Sequence, residues 1–475
     1  MLAILSSVSR GTDRSRAGNM RKIFERIEHN NYLPKGTPGH GFDGYFQTNM
    51  DSTAIPGEPV ISVAKAMANS LGIDTAGVSF QFGADPNLLD PKKDQVPSIH
   101  GIPKHTSKDG KRFSSRHYVQ DTVKAGFPLT VSTHSLATSI LIGKPVGAAC
   151  KPKAVGVTFL RGQSLYQADQ RYSSNSNRPP PPKETAYASR EVIVSGGAFN
   201  TPQLLKLSGI GPATELARHG IPLVADVPGV GENLMDNPEM PVVGVGRTGA
   251  APGPMSGVQF RTPHAPGRDR DIFVMHGARA LRGFWPPNQT NTAMAPADAP
   301  GTYGVGIVKQ FPGSGRGRVL LRGADPTAPP GVVFNHYAGA GGAADVEAMK
   351  DVVRWARGVF ARVDAPFGPV RPTEPPCGGP PDEDFACAED EDWVRGQTYG
   401  HHPTSSCRIG AADDGMAVLD SRFRVRGVQG LRVVDASALP RTPGAFPVVS
   451  VFMISQKAAD VILEEAKGLG KESAC

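Results

Sequence analysis

The sequence predicts an α/β composite fold, and four stretches carry that expectation. "SREVIVSGGAFNTPQLLKLSGIG" (189–211) runs strand, glycine turn, helix, glycine stop. The middle, roughly 240–335, alternates short apolar runs with Gly/Pro loops, the pattern of an antiparallel sheet. "GLRVVDAS" (430–437) reads as a strand ending in a small-residue turn, and "PVVSVFMISQKAADVILEEAK" (447–467) as a closing amphipathic helix.

The remaining elements follow in order. "NMRKIFERIEHNNY" (19–32) has Ile23, Phe24 and Ile27 at helical spacing. "HGFDG" (40–44) is a turn-rich loop, and "PVISVAKAMANSLGI" (59–73) is a second amphipathic helix ending near Gly72. "FPLTVSTHSLATSILI" (127–142) and "KAVGVTFLRG" (153–162) pair as a hairpin, followed by a polar, Pro-rich excursion at 173–184. The middle strands are "RDIFVMHG" (270–277), "YGVGIVKQF" (303–311), "GRVLLRG" (317–323) and "GVVFNH" (331–336). "DVEAMKDVVRWARGVFARV" (345–363) is a long helix. Gly339 to Ala344 satisfies G-x-G-x-x-A between a strand and that helix. A dinucleotide unit needs a second strand with an acidic end further on. The stretch 362–376 reads instead as a loop, so a flexible Gly/Ala surface turn is predicted.

A chain of 475 residues accommodates two domains or one large composite domain. Hydrophobic content of 39% with 20% charge predicts globular folding, and 56 Gly with 44 Pro predicts long loops rather than a helical bundle. The net charge of +7 is scattered, with no basic arm interleaved with aromatics, so nucleic acid is not an expected partner. No run of 18 apolar residues offers a membrane span, and the N-terminal apolar stretch is too short for a signal peptide; the compartment stays open. The five cysteines contain no C-x-x-C, so no metal site is expected. Cys377 and Cys387 share a loop, where they either pair or remain thiols.

Three stretches together resemble the glucose–methanol–choline oxidoreductase family. "GGAFNTPQLLKLSGIG" (196–211) is similar to its second signature. "VPGVGENLMDNP" (227–238) resembles its V-G-x-N-L-x-D-H-P step, with Asn237 where His is usual. The run from His402 to "MISQKAADVILEE" resembles its C-terminal region almost without a gap, and the likeness extends from about 19 to 467. It implies a Rossmann-like FAD/NAD(P)-binding domain over 19–80, 119–236 and 401–475, discontinuous and N-terminally truncated. It also implies a substrate domain of antiparallel sheet plus helices over 81–118 and 237–400. The family's fingerprint lies near its N-terminus, so the first βαβ unit and the Gly-Gly-Ser loop are expected to be missing here. The chain would then be a fragment, or a protein that has lost much of its FAD cradle.

"YGHHPTSSCRIG" (399–410) carries the chemistry. Oxidation of an alcohol by flavin needs a base for the hydroxyl proton while hydride leaves for flavin N5, and histidine suits the task near neutral pH. The family's base stands five residues before the Cys of a Gly-Thr-Cys-type turn, which implies His402; Ser405-Ser406 replaces Gly-Thr. His401 backs up that base, meets the flavin edge or faces away. The family's second His or Asn falls eleven residues after Asp435, on Phe446, and Lys457 lies eleven further on. Phenylalanine makes no hydrogen bond to a substrate oxygen. Either the two histidines supply both polar contacts, or alcohol oxidation is impaired. For the cofactor the resemblance implies Asp435, Ala436 and Ser437, the turn Ser195-Gly196-Gly197, and Ala137 at the adenine; Asp435 would reach the ribityl chain or cap a helix. Cys407 reads as buried packing, Arg408 lacks an obvious partner, and Asn288 opens a glycosylation sequon.

The expected function is FAD-dependent oxidation of CH–OH donors, with a small apolar or aromatic alcohol favoured over a sugar. Alternatives are a truncated or impaired member without flavin, hydroxynitrile lyase chemistry, or fatty-acid photodecarboxylation. Residues 240–330 contain no cysteine to serve the last. Oligomeric state is left open.

Overall fold

The computed structural model describes residues 15–50, 57–77, 84–90, 92–143, 151–172, 181–249, 253–281 and 298–468. The Asn288 sequon, Cys150 and Cys475 lie outside them. Helix α1 (Ser15–Ile27) runs into β1 (Glu28–Asn30), which pairs in parallel with β2 (Phe46–Thr48). The helix predicted to Tyr32 therefore stops early. Asn30 Oδ1 accepts from the backbone N–H groups of Tyr32 and Leu33, a side-chain turn that competes with helix.

Next come α2 (Glu58–Ser70), β3 (Ser98–His100) and α3 (Ser115–Lys124). The predicted hairpin forms as β4 (Ser135–Gly143) with β5 (Lys153–Arg161), and β6 (Lys183–Tyr187) adds a third antiparallel strand. β6 begins inside the predicted Pro-rich excursion, whose residues 173–180 lie outside the described set. β7 (Val192–Val194) leads through the glycine turn into α4 (Gly197–Leu207), then β8 (Ile210–Gly211), α5 (Ala213–Arg218) and β9 (Ala225–Asp226).

The predicted antiparallel sheet consists of β10 (Glu239–Val245), β11 (Ser256–Phe260), β12 (Ile272–Gly277) and β13 (Thr302–Lys309). β3 and β16 (Arg371–Glu374) extend it to six strands in the order β16-β10-β13-β12-β11-β3. Two expectations are corrected. β14 (Arg318–Leu320) and β15 (Gly331–Val333) form a separate hairpin, and the predicted loop at 362–376 contains β16. β13 is buried at every residue. Helices α2 and α6 (Gly342–Ala361) join its core through Val60, Val63, Met67, Val352, Ala356 and Phe360. Residues 58–70, expected in the cofactor unit, thus pack with the sheet.

The glycine turn before α6 is tightly packed rather than loose. A Cβ on Gly341 would meet Gly313 O at 2.1 Å, and one on Gly342 would meet Tyr337 O at 2.0 Å. Close backbone approach within the protein accounts for these glycines. Cys377 and Cys387 form a disulfide, Cα–Cα 5.6 Å, in the loop before α7 (Asp390–Gln397).

A second core gathers α1, β7, α4, β17 (Leu431–Val433) and α8 (Val448–Ala466) around Phe24, Leu205, Cys407, Phe423 and Met453. β7 and β17 pair in parallel, with Leu431 opposite Val192 and Val433 opposite Val194. Among the described residues no helix is long and apolar enough to cross a membrane.

Candidate active site

Two backbone clamps position the histidine stretch. Antiparallel bridges join Met235 to Thr404 and Glu239 to Tyr399, each with N–H···O contacts in both directions. On the other side, Ser405, Cys407 and Ile409 donate their N–H groups to the carbonyls of Ala436, Ser437 and Ala438. The segment therefore lies between the start of the large sheet and the turn after β17. Asp236 completes the first clamp: its Oδ1 accepts from His402 N at 2.8 Å and Asn237 N at 2.7 Å. Burial pushes its carboxyl up to about 6 against those two hydrogen bonds.

His402 is buried, and its Nδ1 stands 2.8 Å from Oε1 of Glu239, a side chain only 1% exposed. The contact has ion-pair distance but lacks hydrogen-bond alignment: neither atom has a hydrogen-bond partner among the described residues. His401 is more exposed. Its Nδ1 lies 3.6 Å from the same oxygen, and its ring is 4.0 Å from that of His402, centroid to centroid. Tyr399 stacks on His401 with a 9° interplanar angle. Burial lowers the His401 pKa, and the nearby His402 adds to the effect against the pull of Glu239.

Phe446 meets His402 edge-on at 5.2 Å and Phe273 of β12 at 5.1 Å. His402, His401 and Phe446 thus form one group, but His401 sits on the Glu239 side of His402. Phe446, beside the His402 ring, has φ 56°, and Ser405, three residues after His402, has φ 73°, so both non-glycine residues occupy the left-handed region.

The predicted cofactor residues also converge. Asp435 Oδ2 accepts from Gly197 N and Thr201 Oγ1 at 3.0 and 2.6 Å, while Oδ1 accepts from Ser437 N and Oγ at 2.7 and 2.5 Å. Its carboxylate ties the turn after β7 to the turn after β17. Both turns lie at the carboxyl ends of parallel strands, where open α/β folds take nucleotides. A Cβ on Gly197 would meet nothing within 4 Å, which leaves that turn accessible. Gly197 is thus open to a ligand such as the cofactor implied by the resemblance, whereas Ser437 is fully buried and bonded to Asp435. Ala137 lies on β4 at a register irregularity, beside α4.

Glu239 and Asp236 are the residues that sequence reasoning missed. Asp236 lies within the 227–238 step, where the resemblance assigns it no role, and Glu239 stands one residue past the end of that step. The spacing D-x-x-E was the available signal. Asn237, where the family has His, is fully buried and donates Nδ2 to the carbonyls of Lys309 and Gln310 at 3.0 Å each. Arg408 pairs with Asp414, and burial raises the Cys407 thiol, which argues against a thiolate nucleophile.

Family models described as GMC oxidoreductase match residues 82–239 and 313–455. An oxygen-dependent choline dehydrogenase of Yersinia pseudotuberculosis is 32% identical over 384 residues, covering 74% of this chain and 59% of that protein. A choline oxidase of Arthrobacter globiformis is 33% identical over 296 residues, covering 59% of this chain and 50% of that one. The chain therefore spans less than two thirds of these curated relatives. Among solved structures, pyridoxine 4-oxidase from Mesorbium loti shares the fold with TM-score 0.72 at 20% identity, over 96% of this chain and 79% of that one.

Proposed function

The chain belongs to the GMC oxidoreductase family, and from that premise we propose that it oxidises the CH–OH group of a small alcohol, with FAD as cofactor and His402 as base. The contact that carries this reading is His402 Nδ1 to Glu239 Oε1 at 2.8 Å in a buried setting. A neutral imidazole has one N–H and one lone pair. A carboxylate beside Nδ1 favours the proton there, which frees the Nε2 lone pair for the substrate hydroxyl. As that proton arrives, Glu239 stabilises the imidazolium.

FAD, when bound, supplies the two-electron acceptor for the hydrogen leaving the alcohol carbon. Gly196, Gly197, Ala436, Ser437, Ser195 and Ala137 would hold it, and Asp435 fixes the two turns relative to one another. Phe446 and Phe273 exclude water beside the base and favour an apolar or aromatic alcohol over a sugar.

The test begins with FAD reconstitution and gel filtration, followed by anaerobic addition of aliphatic, aromatic and amino alcohols. A yellow protein whose visible absorbance bleaches with an alcohol supports the proposal. His402→Ala is expected to slow bleaching by ~10²–10⁴-fold, the usual worth of a general base. A protein that stays colourless would favour the reading of a family member without flavin.

A further inference from the structure

Beyond the proton chemistry, the same corner of the molecule has the makings of a metal site. Glu239, His401 and His402 present ligand atoms that all lie within 4.8 Å of one another. We propose that these three side chains bind a single divalent transition cation of the zinc class.

The donor set selects that class. Two imidazoles and one carboxylate suit zinc, cobalt or nickel, whereas magnesium and calcium prefer all-oxygen shells. The geometry suits it too. Glu239 Oε1 is 2.8 Å from His402 Nδ1 and 3.6 Å from His401 Nδ1. Ligand bonds of roughly 2.0–2.2 Å bridge atoms at such separations with little side-chain movement.

Unmet bonding capacity is the independent observation. Glu239 Oε1 and His402 Nδ1 are buried and close, yet each lacks a hydrogen-bond partner among the described residues. Being out of line with each other, they are placed to share a third atom. Asp236 Oδ2 is likewise buried and unpartnered there, so a second carboxylate adds to the local attraction for a cation. The half-exposed His401 supplies an entry path from solvent.

The expectation of no metal site came from cysteine spacing. These ligands come instead from two distant segments joined by the bridge between Glu239 and Tyr399.

One consequence rests on the reading of His402 as the base. A cation on Nδ1 takes the place of that nitrogen's proton, so Nε2 keeps the ring hydrogen and has no lone pair for substrate. Bound zinc would thus inhibit alcohol oxidation.

The full chain, without flavin, would be titrated with Co²⁺ while its visible d–d absorption is followed, then with Zn²⁺ in competition. The expected result is a saturable band at one Co²⁺ per chain that Zn²⁺ displaces. Glu239→Gln and His401→Ala should each weaken Co²⁺ binding at least tenfold; His264→Ala, at a surface pair with Asp351, should not. His401 lies at an exposed position, so its variant tests the site even if Glu239→Gln fails to fold. Absence of a saturable band, or affinity within twofold of the parent in His401→Ala, would overturn the site. If the cation binds as expected but Zn²⁺ leaves turnover of the FAD-loaded protein unchanged, the site stands and the base assignment falls.

Discussion

His402 and Phe446 were legible because each sits at a fixed count from a recognisable anchor, Cys407 and Asp435. Glu239 was not, since its contact with His402 depends on a pairing of distant segments that no local pattern records. The backbone of Phe446 was equally hidden. A bulky side chain at φ 56° is strained, whereas asparagine tolerates that region. Phe446→Asn is therefore expected to supply the missing polar contact and relieve the backbone together. Alcohol turnover of FAD-loaded protein should rise, and thermal unfolding should show loss of ring packing offset by about 1 kcal/mol of relieved strain. Turnover no higher than the parent would mean that the polar contact is already supplied, with His401 the first candidate.

Among the elements, helices α2, α6 and α8 and strands β12 and β13 are read from sequence with near-correct bounds, whereas β10 and β11 are covered only by the predicted sheet region and β4 begins later than its apolar run. β16 was missed because its "RPTE" contains a proline, which normally argues against a strand; its place at the sheet edge removes the objection. The disulfide was left open by sequence because pairing needs proximity that spacing alone does not give. It closes a short loop directly ahead of α7. Cys387 N donates to Asp390 Oδ2, and Arg357 of α6 forms a buried ion pair with Asp390 at 2.7 Å. Cys377→Ser with Cys387→Ser should lower stability by about 3 kcal/mol on loop-entropy grounds. Amide exchange should quicken in α7 first. Equal melting curves for the parent with and without reductant would contradict this.

At the scale of the whole molecule, the strand and helix patterns predict a mixed fold but not which helix joins which core. α2 went to the sheet because its apolar face meets α6, a long-range choice. The N-terminal region is fastened by a buried cluster: His40 lies 3.0 Å from Glu28 and 2.8 Å from Asp85, with its side chain fully covered. Burial alone would lower the His40 pKa, but the ion-pair contact with Asp85 and the hydrogen bond to Glu28 overcome this and raise it to about 9. The folded state thus binds the proton more tightly than the unfolded chain, whose histidine titrates near 6.5. The resulting stability is fully present below about pH 6.5 and is lost as pH rises through about 9. His40→Gln should flatten the fall in melting temperature across that window. An unchanged slope would assign the fall to other groups.

The parallel pair of β7 and β17 has a bearing on how solutions of this chain behave. Within the described residues β7 hydrogen-bonds as a strand only to β17, and its Ile193 is 45% exposed. A strand edge that lacks a partner among the described residues and carries an exposed apolar side chain is an adhesive surface between copies. Concentrated samples are expected to scatter light increasingly with time, and Ile193→Lys, which sets like charges facing one another, to delay that turbidity several-fold. The shelf life of the protein would then be governed by three residues of strand that take no part in the proposed chemistry.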